Sequence, residues 1–175
     1  MKSRWRQSSL TLVLCFCAFL ADAGEVYRLS PDGYGPAHIG MTVDQASTAL
    51  GMPLVTAQDE TPNPDCYHVH PRTGPVELYF MIQQGRIVRV SLYEGPSAIR
   101  TDRGIGLGDT IDKVRKAYGP NLRDEPHEYL GPTGRYLTSW DERRKRGIRF
   151  EINTDGKVDT IHAGGEAIEL VEGCS

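Results

Sequence analysis

The chain has 175 residues with 20 basic and 23 acidic side chains, a formal charge of −3, and the mixed composition of a globular protein without low-complexity tracts. Three basic residues and one acidic residue lie within 1–23, so residues 24–175 carry about −5, which argues against a nucleic-acid binder, where a basic excess is the rule. That stretch is long enough for one ordinary domain or two small halves sharing a core.

At the N-terminus, Lys2, Arg4 and Arg6 precede an apolar run from Leu10 to Leu20 and then Ala21-Asp22-Ala23. This order of basic, apolar and small residues is that of a secretion signal cleaved near Ala23. The run falls well short of the roughly 20 apolar residues that span a bilayer, so no membrane span is expected and the location implied is secreted or periplasmic. Cys15 and Cys17 follow Leu14 and Phe16, not the small residue that a lipid-attachment site needs. Cys66 and Cys174 are then the cysteines of the exported chain, and an oxidising compartment predicts that they pair. Free thiols or a metal pair are the rival readings.

The first predicted helix starts at Thr42, an N-cap with Gln45 at the capping-box spacing. Val43, Ala46, Ser47 and Leu50 form its apolar stripe, and Gly51 and Pro53 stop it. Candidate strands follow at Cys66 to His70, at Val76 to Ile82, where apolar residues alternate with Glu77, Tyr79 and Met81, and at Arg86 to Tyr93. A second helix is predicted from Thr110, with Ile111, Val114 and Tyr118 on one side and Gly119-Pro120 at its end. Strands at Arg135 to Trp140, Ile148 to Ile152 and Lys157 to Ala163 follow, the last two joined by an Asp155-Gly156 turn.

The two series are related. Ile39-Gly40-Met41-Thr42-Val43-Asp44 recurs as Leu107-Gly108-Asp109-Thr110-Ile111-Asp112, and Leu78, Phe80 and Ile82 match Ile148, Phe150 and Ile152. The expectation is an α+β fold: a first repeat over 24–94, a linker over 95–103 and a second repeat with a C-terminal tail over 104–175. Each repeat would be a helix followed by antiparallel strands, with the helices on one face of a shared sheet.

The segment from Ile39 through Gln45-Ala46 to Leu50-Gly51-Met52-Pro53 resembles the signature of the SmpA/OmlA-type outer-membrane assembly lipoproteins. Its doubling resembles the β-lactamase inhibitory proteins, secreted tandem-repeat proteins that grip an enzyme with a sheet surface. Gly147 to Cys174 is similar to uncharacterised exported bacterial proteins. The resemblance implies inhibitor-like or assembly-like binding of a protein partner. The chain departs from both families, having neither a lipid-attachment cysteine nor disulfides within each half, so no functional residue carries across.

Three clusters are candidate sites. His68 and His70 are two apart on a predicted strand and so share a face with Cys66; His127 or His162 as a further ligand would complete a zinc or copper site. Tyr67, Tyr129, Tyr136 and Trp140, with His127, Tyr79 and Tyr93, are the residue types of an interaction surface, or simply strand residues packed under the helices. Arg143-Arg144-Lys145-Arg146 is a solvated loop or an electrostatic docking point. No nucleophile elbow, metalloprotease helix or phosphate loop is present, and Asp59/Glu60 and Asp124/Glu125 lie in predicted loops. The sequence therefore predicts a non-catalytic binding protein without a cofactor. A periplasmic metal binder using His68 and His70 is the alternative, and an envelope hydrolase built from dispersed residues comes third.

Overall fold

The computed structural model describes residues 26–56, 63–93 and 95–174. The expected export segment and the Asp59/Glu60 pair lie outside these residues. Three two-residue strands, β1 (Leu29–Ser30), β2 (Gly33–Tyr34) and β3 (Ala37–His38), form a small antiparallel sheet. Helix α1 (Val43–Leu50) leads into β4 (Leu54–Thr56), β5 (Cys66–Pro71), β6 (Leu78–Gln83) and β7 (Arg86–Leu92). Helix α2 (Ile111–Tyr118) leads into β8 (Arg123–His127), β9 (Gly131–Asp141), β10 (Arg146–Ile152) and β11 (Val158–Gly164), and a 3-10 turn at Glu166–Glu169 follows. The eight longer strands make one sheet in the order β4-β5-β6-β7-β11-β10-β9-β8, so β11 lies near its middle, between β7 and β10.

Helix α1 begins where its sequence directs. Thr42 Oγ1 accepts from the Gln45 amide at 3.3 Å and Gln45 Oε1 accepts from the Thr42 amide at 3.0 Å, so two otherwise orphaned donors are satisfied reciprocally. Gly51 closes it at φ +67, the left-handed conformation that glycine takes without steric cost. Thr42→Ala is expected to cost about 1 kcal/mol, the usual value of such a cap, read as a lowered urea midpoint at unchanged m; an unchanged midpoint would count against the cap's contribution.

The α+β expectation is corrected. The protein is mostly β, with 43% strand against 14% helix, two helices of eight residues and two separate sheets. Strand extends into segments without alternation. β4 follows α1 almost at once, β8 is the charged run Arg123-Asp124-Glu125-Pro126-His127, and β9 starts at Gly131, four residues before its predicted start. The small N-terminal sheet is also additional. Val76, expected inside a strand, is exposed ahead of β6.

One hydrophobic cluster joins these parts. Leu78, Phe80 and Ile82 from β6, Val90 and Leu92 from β7, Ile161 from β11, and Ile148, Phe150 and Ile152 from β10 are buried with Leu50, Val114, Tyr118, Leu29 and Tyr34. The segment 95–103 is tied into it: Ile99 and Thr101 are buried, and the Leu29 amide donates to the Arg100 carbonyl at 3.0 Å. Because strand side chains alternate, the residues between these apolar positions point to the sheet's other face, where the polar chemistry collects.

Candidate functional site: the polar face of the sheet and its C-terminal cover

Cross-strand register places Tyr79, Ser91, His162, Arg149, Thr138 and Arg123 in one row across β6, β7, β11, β10, β9 and β8. Residues opposite one another in a ladder share a face, so six strands contribute to one polar line. At its centre Ser91 Oγ lies 2.8 Å from His162 Nδ1, and His162 Nε2 lies 3.1 Å from Glu151 Oε1. Glu151 Oε2 is 3.4 Å from His127 Nε2. A carboxylate only accepts, so His162 Nε2 carries the proton and Nδ1 accepts from the Ser91 hydroxyl.

Burial, with the cations of Arg89 and Arg149 nearby, drives the His162 pKa down to about 4 against the pull of Glu151. Burial alone would raise Glu151, but the hydrogen bond from His162 and the proximity of both histidines outweigh it and hold the carboxyl below its usual range. Serine, histidine and glutamate in series are the residue types of a nucleophile relay. Here Ser91 is 0% exposed, and the array satisfies a histidine buried in the sheet.

Aromatic rings flank this centre. His70, Tyr79, Tyr93 and His162 follow one another with ring centroids 5.4 to 5.9 Å apart. On the other side Arg149 lies 4.2 Å above the Tyr136 ring, and Tyr136 stacks on His127 at 4.4 Å.

The segment after β11 returns across this face. Arg89, 2% exposed, donates through Nη1 to the Ala167 carbonyl at 3.0 Å and the Leu170 carbonyl at 2.8 Å, and so caps the end of the 3-10 turn. Ile168 is buried next to Gly147. A Cβ at Gly147 would stand 2.2 Å from Trp140 Cε3 and 2.8 Å from Ile168 Cδ1, so glycine there lets the indole and the turn lie against the sheet. Arg123 pairs with Glu169, and a Cys66–Cys174 disulfide fixes the end of the segment to β5.

The expected site residues are distributed by this architecture. Cys66 pairs with Cys174, so it is not a metal ligand. His68 and His70 do share a face. His68 lies against Gly173, while His70 sits 3.0 Å from the Pro71 carbonyl and tilts on Tyr79. His127 and His162, the suggested further ligands, are instead gathered at Glu151. Among the described residues no three His, Cys, Asp or Glu side chains are grouped to hold a metal.

Two of the expected partner-binding residues lie away from open surface. Tyr67 lies opposite Ile82 and packs against the hydrophobic cluster, on the sheet's other face. Tyr136 is 4% exposed, held between His127 and Arg149. Tyr129 is 65% exposed at the turn between β8 and β9, away from the cleft that Trp140 lines.

Trp140, Arg143 and Arg144 do come together. They line an open cleft of about 780 Å³ with Asp32, Arg103 and Tyr118. Arg144 bridges Asp32 at 2.6 Å and Asp141 at 2.8 Å, which depresses the Asp141 carboxyl through hydrogen bonds from Arg144 and engages one of the four cations of the basic run. Trp140 also lines a notch of about 460 Å³ between the 3-10 turn and β9, together with Thr138, Arg123, Asn121 and three glutamates.

Sequence reading missed Arg89, Ser91, Thr138, Arg149 and Glu151. The available signal was a polar residue at alternate positions of apolar strands, which reads equally as a solvated face. No protein family, curated protein or solved structure matches this chain.

Proposed function

We propose that this chain is an exported, non-catalytic binding protein that engages a protein partner in the cell envelope or outside the cell through the surface around Trp140. The carrying observation is the convergence of Trp140, Arg143 and Arg144 with Arg103 on one open cleft, since tryptophan and arginine are among the residues in which interface energy concentrates. Alternating acids, Asp32, Asp102, Asp141 and Glu142, give the cleft mixed charge, which favours specificity over indiscriminate adhesion. Export is supported by the order of zones in residues 1–23 and by the Cys66–Cys174 disulfide, a bond of oxidising compartments. No helix among the described residues is long and apolar enough to cross a membrane.

Affinity capture from an envelope extract tests the reading. The wild-type chain is expected to retain a dominant protein at constant stoichiometry, and Trp140→Ala to reduce its recovery by roughly tenfold or more, the scale of an interface tryptophan. Circular dichroism should show the variant folded. Equal recovery by both chains, or no partner with either, would sink the proposal.

A further inference from the structure

We infer that the notch between Trp140 and the 3-10 turn is a receptor for a cationic side chain, arginine or lysine, presented by the protein partner. The inference rests on the partner-binding reading above and adds the chemistry that the partner brings.

Charge is the first ground. Glu142, Glu166 and Glu169 line the notch against the single cation Arg123. Arg123 is already committed to Glu169 and Glu125, whereas Glu142 and Glu166 make no ion pair among the described residues. The notch therefore offers two carboxylates with unspent charge.

An orphaned hydroxyl is the second. Thr138 is 2% exposed, and its Oγ1 finds no hydrogen-bond partner among the described residues although the residue lines the notch. A buried hydroxyl left unpaired costs free energy, so its presence beside an opening points to a donor arriving from outside. An ammonium or guanidinium supplies only donors, which suits one hydroxyl oxygen and two carboxylates.

The third is the indole. Trp140 lies over Gly147 and remains partly exposed, so part of its surface is available to the notch. A cation over an indole face is attracted by the ring quadrupole, and tryptophan is the best of the aromatic residues for this. No cation of the chain stacks on the indole among the described residues: Arg123, in the notch, is paired with Glu125 and Glu169, and Arg144 is held by Asp32 and Asp141.

The chain contains two tryptophans, Trp5 and Trp140, so the full chain carrying Trp5→Phe reports Trp140 alone by fluorescence. Titration with tri-arginine amide is expected to give a saturable change in emission, and the isosteric but uncharged tri-citrulline amide to give none. In the same background Glu142→Gln/Glu166→Gln should weaken tri-arginine by roughly five- to thirtyfold, as expected from cation–π and charge-assisted contacts. Thr138→Val should weaken it by a smaller factor; if that variant does not fold, the surface double variant still decides.

A flat titration overturns the inference, as does equal binding of the citrulline peptide or an unchanged affinity in the double variant. Partner capture without a tri-arginine response would remove the cation receptor and leave the binding reading standing. A tri-arginine response without any captured partner would do the reverse.

Discussion

Removal of the Cys66–Cys174 bridge is expected to lower the unfolding free energy by about 4 to 5 kcal/mol, because the bond closes a loop with a sequence separation of 108 and so restricts the unfolded chain strongly. For a protein of this size that corresponds to a fall in Tm of about 10 to 15 °C. The native state loses less than this figure suggests. The terminal segment keeps the buried Ile168 and Ala167, the two hydrogen bonds from Arg89 and the Arg123–Glu169 pair. It should therefore stay docked when the bond is cut, with the cost falling on the entropy of the unfolded ensemble. Urea unfolding of the wild type with and without reductant, compared with Cys66→Ser/Cys174→Ser, measures it. Coincident midpoints in all three would show that the bridge contributes nothing.

The second large effect follows from His162. Its pKa is about 4 in the folded protein and near 6.5 when unfolded, so between these values the unfolded chain binds the extra proton. The neutral ring's contribution is complete above pH 6.5 and is lost as pH falls toward 4, a total of about 3 kcal/mol for a shift of this size. Glu151 acts in the same sense at lower pH: its depressed carboxyl stabilises the fold above the unfolded value, and this is lost as pH falls through the folded one. Arg89 and Arg149 face the ring and strengthen the effect, while Glu151, bonded also to His127, opposes it. Urea unfolding at pH 7.5 and pH 5 is expected to show the drop in the wild type. His162→Gln retains a donor toward Glu151 and cannot titrate, so its drop should be smaller by most of that amount. Parallel pH profiles for the two proteins would exclude His162 as the source.

Local signals were the legible part of this fold. Thr42 with Gln45, and Thr110 with Gly119, marked both helices because capping is chemistry between near neighbours. Alternation marked β6, β7, β10 and β11 because their apolar positions share one cluster. Strand β8 carried no such mark: an edge strand of Arg123, Asp124, Glu125 and Pro126 owes its conformation to pairing with β9, and its charges suit an edge that must not recruit other chains. The two-residue strands near the N-terminus are too short for any period. The candidate site was less legible still. Met81, Arg89, Ser91 and His162 occupy positions that alternation assigns to solvent, yet all are buried. Of the covering segment at 166–174 only the anchor was legible, through the expected pairing of Cys174 with Cys66, and the meeting of His162 with Ser91 depends on register between separate hairpins. Tyr136 and Trp140 were both visible as aromatic residues of one strand; only the approach of Arg149 and the absence of a side chain at Gly147 explain why Tyr136 is enclosed and Trp140 partly open.

The position of β11 also bears on how the chain is made. It is the last strand in sequence and yet completes the ladder between β7 and β10. Until residues 158–164 have emerged from the ribosome or the translocation pore, the strands β4 to β7 and β8 to β10 can exist only as two separate patches, each with an open edge of unpaired amides and carbonyls. Such edges recruit neighbouring chains, and partly synthesised intermediates of this kind depend on holding factors during delivery. A premature stop within β11 would not shorten the sheet from one side but leave it in two pieces, so nascent chains interrupted there should be cleared or aggregate and not persist as trimmed forms.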